Sequence, residues 1–199
     1  MPDQSPAPET PRDRLLRVAA GLFYRDGINA VGVDRVLAES EVTRATMYRH
    51  FTGKEALVVA YLDAEDARLR EYAALAAAEA DDPRVRLESI IDSIATDAVT
   101  YHDRGCPFIN AAAEFPDPDS PVREVVTRHR TWFRDALTEA VHAAGLPEPE
   151  TVARSLVLLR DAALVGVYLD GADSAETFRA AAHQLITPPL TEPSSTGHP

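Results

Sequence analysis

Cysteine, lysine and tryptophan each occur once in this 199-residue chain, as Cys106, Lys54 and Trp132. A lone cysteine cannot close an internal disulfide, so stability rests on a packed core, and a reducing compartment is expected. No stretch approaches the roughly 20 consecutive apolar residues that a helix needs to cross a bilayer, which predicts no membrane partner. The opening MPDQSPAPETP lacks a basic segment followed by an apolar run. No secretion signal is read there, and a cytoplasmic location is expected. The sequence also lacks a nucleophile elbow, a glycine-rich phosphate loop, an HExxH pair and clustered metal ligands. An enzyme, a cofactor and a metal centre therefore find no support; His102 and Cys106 form only an H-x-x-x-C pair, where a metal site wants three or four ligands.

Positive charge is scarce as well: 20 Lys and Arg face 32 Asp and Glu, for a net charge of −12. On the total alone such a chain repels nucleic acid, but the charge is unevenly spread. From Arg12 to Lys54 eight basic residues meet five acids, a local excess of +3 in an otherwise acidic chain. Attraction to phosphate decays over about 8–10 Å, so the local sign governs contact. An acidic body behind a basic head also disfavours wrong orientations on a polyanion.

Period-two alternation is almost missing, whereas apolar residues recur at helical spacing throughout, which predicts an all-α fold. Nine helices are expected, over about 10–26, 33–39, 43–50, 54–80, 83–102, 108–114, 121–144, 148–170 and 172–186. Thr10, Pro11 and Asp13 supply an N-cap, a first-turn proline and an acid at the positive end of the first helix, and Gly27 stops it. The division expected is a disordered tail over 1–10, a three-helix head over 11–53, a helical body over 54–186 and a second disordered tail over 187–199.

The segment VDRVLAESEVTRATMYRHF (33–51) has the shape of a helix-turn-helix: two short helices separated by about three residues. Val33, Val36, Leu37, Val42, Met47 and Phe51 can pack inward, leaving Thr43, Arg44, Ala45, Thr46, Tyr48, Arg49 and His50 around an outward face. A helix lying in the major groove meets base edges with its N-terminal residues. Arg44 suits guanine acceptors, Thr46 a base or a thymine methyl, and Ala45 permits close approach. Tyr48, His50 and Lys54 carry phosphate-binding groups, Lys54 at a helix N-terminus that itself favours an anion. On these residues alone, a helical hairpin with a merely solvated polar face remains open.

Residues 14–57 resemble the DNA-binding domain of the TetR family, most specifically in T-R-x-T-M-Y-R-H-F-x-x-K-E-x-L from Thr43 to Leu57. The resemblance implies phosphate contacts at Tyr48 and Lys54, and capping and base reading at Thr43, Arg44 and Thr46. Two positions depart from the family pattern: Gly32 stands where a hydroxyl cap is usual, and Glu41 stands where the turn usually has glycine. The stretch 104–126 resembles a segment common in one group of TetR-like regulators.

The resemblance further implies a small-molecule pocket among the fourth to seventh helices, with Leu62, Ile94, Tyr101, Cys106, Phe108, Ile109, Asn110, Trp132 and Phe133 as candidate lining. For the apolar members, ordinary core packing is the competing role. Asn110 can serve a ligand or its own backbone, and Cys106 can be a redox sensor or a buried thiol. It implies too that the last two helices pair with their copies in a homodimer, through Leu156, Leu159, Ala163, Gly166, Val167, Leu169 and Phe178. The function expected is a repressor that binds a palindromic double-stranded operator and is released by a small-molecule effector. An activator, a ligand-dependent corepressor, and an interaction module that has lost DNA binding are the alternatives.

Overall fold

The computed structural model describes residues 9–78 and 81–187, and the described residues form nine helices and no strand. In chain order these are α1 (Pro11–Asp26), α2 (Val33–Ser40), α3 (Arg44–His50), α4 (Lys54–Ala78), α5 (Pro83–Thr100), α6 (Pro107–Glu114), α7 (Pro121–Ala143), α8 (Pro149–Asp170) and α9 (Asp173–Ile186). The expected tails lie largely outside the described residues. Within them, Glu9 is ion-paired to Arg17 at 2.8 Å and Thr10 accepts from the Asp13 N–H at 3.2 Å, so the first helix's cap reaches back into the expected tail. The expected last two residues of the fourth helix, 79 and 80, also lie outside.

The first three helices wrap a small core. Leu15, Ala19, Leu22 and Phe23 fall three and four residues apart on α1 and are all buried. They meet Val36 from α2 and Met47 from α3, both with almost no exposure. Gly27, at φ 90°, turns the chain out of α1 while its N–H closes on the Phe23 carbonyl at 3.1 Å. Glu41 ends α2 in the left-handed region, φ 53° and ψ 35°, a conformation a non-glycine residue adopts only at some cost. Gly32 caps α2 without a side-chain bond.

Twenty-five residues make α4 about 37 Å long. Its first turns pack on α1, and its later turns on α5 and α7. It is therefore shared by head and body. α7 buries Val122, Val125, Val126, His129, Leu137 and Val141 as one stripe, and α8 lies between α7 and α9.

Two regions differ from the sequence reading. α5 stops at Thr100, because Tyr101 leaves helical geometry (φ −121°, ψ −19°) and lets His102 turn back onto Asp97 of α5 and Glu65 of α4. The proposed dimer residues mostly face inward. Leu156, Ala163, Val167 and Phe178 are buried in the chain's own core, and Gly166 faces α9 so closely that an added Cβ would stand 2.8 Å from Ser174 Oγ. An amphipathic α8 shows its partner helices one apolar stripe and leaves another outside. The outer stripe carries Leu158, Val165 and Leu169, with Leu159 at its margin.

Candidate DNA interface and body chamber

The outward face of α3 is set by one buried anchor and one cap. Met47 is fully buried, which turns the opposite side of this seven-residue helix to solvent. Thr43 accepts the Thr46 N–H at 3.2 Å, and the two hydroxyls lie 2.9 Å apart, fixing the start of the helix. Thr43, Arg44, Ala45, Tyr48, Arg49 and His50 are exposed, and Thr46 is half-buried. Lys54 is the half-buried first residue of α4, where unpaired N–H groups add to its charge. The Arg44 guanidinium is ion-paired to Asp34 at the start of α2, both side chains being largely exposed.

A chamber in the body lies between α4, α5, α7 and α8, with a free volume of about 70 Å³. Leu69, Ala73, Ile90, Ile94, Trp132, Phe133 and Leu164 make apolar walls, and Tyr72, Ser93, Asp97, His129 and Arg160 bring polar groups to it, Asp97 being already engaged by His102. His129 stacks flat on Phe108, ring centroids 3.6 Å apart, and its Nδ1 lies 2.8 Å from Asp66 Oδ1. Asp66 is itself bound by Arg70 at 2.7 Å, and Arg70 covers the Trp132 ring at 4.3 Å. Burial would raise the Asp66 carboxyl, but Arg70 and His129 outweigh it and hold it below the usual range. Burial pushes the His129 imidazole down to about 4, only partly opposed by Asp66. Arg160, 6% exposed, donates through Nη1 to Cys106 Sγ at 3.3 Å and to Asp161 at 3.1 Å.

A second polar cluster lies in the body beside the junction with the head. His102 places Nδ1 2.5 Å from Asp97 and Nε2 3.1 Å from Glu65, and Arg68 binds Glu65 at 2.7 Å. Burial alone would lower the His102 pKa, but the two carboxylates outweigh it and hold the imidazolium up at about 9. Burial would likewise raise Glu65, yet His102 and Arg68 hold it down at about 2. Beside this cluster Tyr24 of α1 donates to the Gly105 carbonyl at 3.0 Å and accepts from the Arg104 N–H at 2.9 Å. At the other end of α6, Glu114 accepts from the Ile28 and Asn29 N–H groups at 2.9 and 2.5 Å. Both ends of the short α6 segment are thus bonded to the loop and helix of the head.

Residues 15–61 match the family profile described as "Bacterial regulatory proteins, tetR family", and residues 83–181 match that described as "Tetracyclin repressor-like, C-terminal domain". The crystal structure of SCO4454, a TetR-family transcriptional regulator from Streptomyces coelicolor, is similar at a TM-score of 0.85 and 40% identity, covering 88% of this chain and 94% of that one. The chain belongs to the TetR family of transcriptional regulators. It is also 26% identical over 194 residues to the uncharacterized HTH-type transcriptional regulator Rv1255c of Mycobacterium tuberculosis, covering 96% of this chain and 93% of that protein. The reduced form of Escherichia coli NemR shares the fold, with a TM-score of 0.80 at 20% identity over 90% of this chain and 98% of that one.

As in any TetR-family chain, the head carries a DNA-binding helix-turn-helix, and α2 and α3 are that motif here. In the body, the structure divides the nine candidate pocket residues. Ile94, Trp132 and Phe133 border the chamber. Leu62 and Ile109 do not border it: Leu62 is wholly buried in the core and Ile109 packs against that core. Phe108 is fully buried behind His129 and Cys106 is buried beneath Arg160, so neither borders the chamber. Tyr101 is 60% exposed and lies under Arg68, outside the chamber, because the chain has already left α5 there. The Asn110 amide donates to the Arg104 carbonyl at 3.0 Å, the backbone-satisfying role. Sequence reading missed His129 and Arg160. For Arg160 the signal was present in LVLLRDAALVG (156–166), where Arg160 and Asp161 interrupt an apolar run; a charge so placed is either snorkelling or buried with partners.

Proposed function

We propose that the chain is a dimeric cytoplasmic repressor that grips a near-palindromic operator with two copies of α3 and lets go when a small molecule occupies the body chamber. The observation that carries this reading is the α3 face: a capped helix, anchored by Met47, presents Arg44, Ala45, Tyr48, Arg49 and His50 to solvent beside Lys54. Arg44, Thr46 and Ala45 would meet base edges, while Thr43, Tyr48, Arg49, His50 and Lys54 would meet phosphates. One seven-residue helix reads few bases, so a two-fold pair reaching half-sites about 34–36 Å apart supplies the missing specificity.

The head is taken as residues 11–53 and the body as 54–186, with α4 shared between them. Support for the dimer comes from α8 and α9, where Leu158 (69% exposed), Leu169 (68%), Val165 and Leu185 form an apolar outer face that a second copy would cover. Support for effector coupling comes from α6. Its N-cap residue Cys106 is held by Arg160 at the chamber, and its two flanks are bonded to the head through Tyr24, Ile28 and Asn29. A ligand that shifts Arg160 or the α4 wall would reorient the heads. Effector and operator would then oppose each other through a reciprocal coupling of about 1–3 kcal/mol.

A fluorescence-anisotropy titration of the purified protein against its own upstream DNA tests the reading. Tight, saturable binding of two chains per duplex at a single site is the expected result. Binding no tighter than to unrelated duplex at equal salt would overturn it.

A further inference from the structure

Building on the sensor reading above, we propose that the body chamber takes a largely apolar aromatic monoanion that also carries a hydrogen-bond donor, the chemistry of a hydroxyaryl carboxylate. The donor is called for by His129. An ionised Asp66 only accepts, so the proton between them sits on His129 Nδ1 and Nε2 presents a lone pair. That side chain is 2% exposed, borders the chamber, and its Nε2 has no hydrogen-bond partner among the described residues. An unmatched buried acceptor costs about 1–3 kcal/mol, which a ligand hydroxyl or N–H recovers.

The negative charge is called for by Arg160. Around the chamber the charges pair off: Arg70 with Asp66, Arg130 with Asp161, Arg68 with Glu65 and His102 with Asp97. Arg160 is left as the cation in excess. It shares Asp161 with Arg130, its other partner is the Cys106 sulfur, and both bonds leave from Nη1 alone. A buried guanidinium with donors to spare favours a carboxylate or phenolate and repels a cation. Aromatic character follows from the lining. Leu69, Ala73 and Ala76 border it from α4, Ile94 from α5, and the Trp132 and Phe133 rings from α7, so an aryl ring finds apolar and aromatic contact there. Arg160 and His129 both flank the Phe133 ring, at 5.2 and 6.3 Å from its centroid, so one small ligand can reach both.

Trp132 is the chain's single tryptophan and borders the chamber, so its emission reports occupancy. The test titrates the full-length protein with 4-hydroxybenzoate, benzoate, phenol and benzylammonium, following tryptophan emission and binding heat. The expected order is 4-hydroxybenzoate first, benzoate and phenol each weaker by about tenfold, the loss of one hydrogen bond to a charged or buried partner, and benzylammonium without effect. Arg160→Met should remove the advantage of 4-hydroxybenzoate over phenol, and His129→Phe its advantage over benzoate. If circular dichroism shows that Arg160→Met fails to fold, the wild-type ligand order decides alone. Phenol or benzylammonium binding as tightly as 4-hydroxybenzoate, or no saturable response to either anion, overturns the proposal. Operator release by a cationic or uncharged compound would overturn this ligand class while sparing the sensor reading. Saturable 4-hydroxybenzoate binding with unchanged operator affinity would do the reverse.

Discussion

On the proposed operator, two groups would compete for the Arg44 guanidinium. In the free protein Asp34 holds it in an exposed ion pair, worth at most about 1 kcal/mol. The proposed bidentate contact to guanine O6 and N7 would discriminate against a wrong base by about 1–3 kcal/mol, so in that reading DNA would win, at the expense of the Asp34 pair. Two outcomes follow, both measured by anisotropy across a salt series. Arg44→Ala should lose discrimination at one or two base pairs and leave non-specific binding nearly unchanged. Asp34→Ala should tighten operator binding by up to about fivefold, since it frees Arg44 and removes an acid from the phosphate path. Lys54→Ala should weaken all sequences alike and reduce the salt slope by about 2, one phosphate contact for each subunit of the dimer.

Helix contacts, rather than single side chains, decide what α8 can do. Gly166 is where α8 meets the start of α9. An alanine Cβ there would stand 2.8 Å from Ser174 Oγ and 2.9 Å from Ser174 Cβ. The helix-propensity gain of alanine over glycine is about 1 kcal/mol, and forced overpacking costs about 1–3 kcal/mol. Gly166→Ala should therefore lower stability by about 1 kcal/mol in urea titrations. Adding Ser174→Gly should restore more than the sum of the single changes predicts, the signature of a direct contact. A Gly166 at a subunit interface would instead show no coupling to Ser174. The same close approach rotates Leu158, Val165 and Leu169 outward. Leu158→Asp with Leu169→Asp should yield a monomer in analytical ultracentrifugation, with thermal stability of the isolated fold little changed.

Across the whole molecule, the buried histidines shape stability against pH in opposite ways. The folded pKa of His102 is raised to about 9 from 6.5, so its contribution is complete below pH 6.5 and is lost as pH rises through 9. The folded pKa of His129 is lowered to about 4, so the protein resists protonating it and loses stability as pH falls from 6.5 towards 4. Maximal stability is expected near neutrality. His102→Gln should flatten the alkaline limb: the wild type should lose on the order of a few kcal/mol between pH 6.5 and 9.5 in urea titrations, and the variant distinctly less. Equal alkaline losses would exclude His102 as the source. The head–body junction beside this cluster should follow the same limb, because Tyr24 is bonded to the loop that carries Arg104 and Gly105.

Local chemistry alone determined the all-α architecture, the order of the nine helices, and the helix-turn-helix with its outward residues. Caps such as Thr10 and Thr43, stops such as Gly27, and the three-four spacing of Leu15, Ala19 and Leu22 act within a few residues of themselves, so they can be read without knowing what packs where. Tertiary structure alone decided which side of α8 faces inward, since the helix is apolar on two sides and only its neighbours choose between them. It likewise brought the Asn110 amide onto the Arg104 carbonyl, and Arg160 of α8, His129 of α7 and Asp66 of α4 together around one chamber. These residues are separated by tens of positions in the chain. Their chemistry depends on burial and on partners that no local pattern encodes.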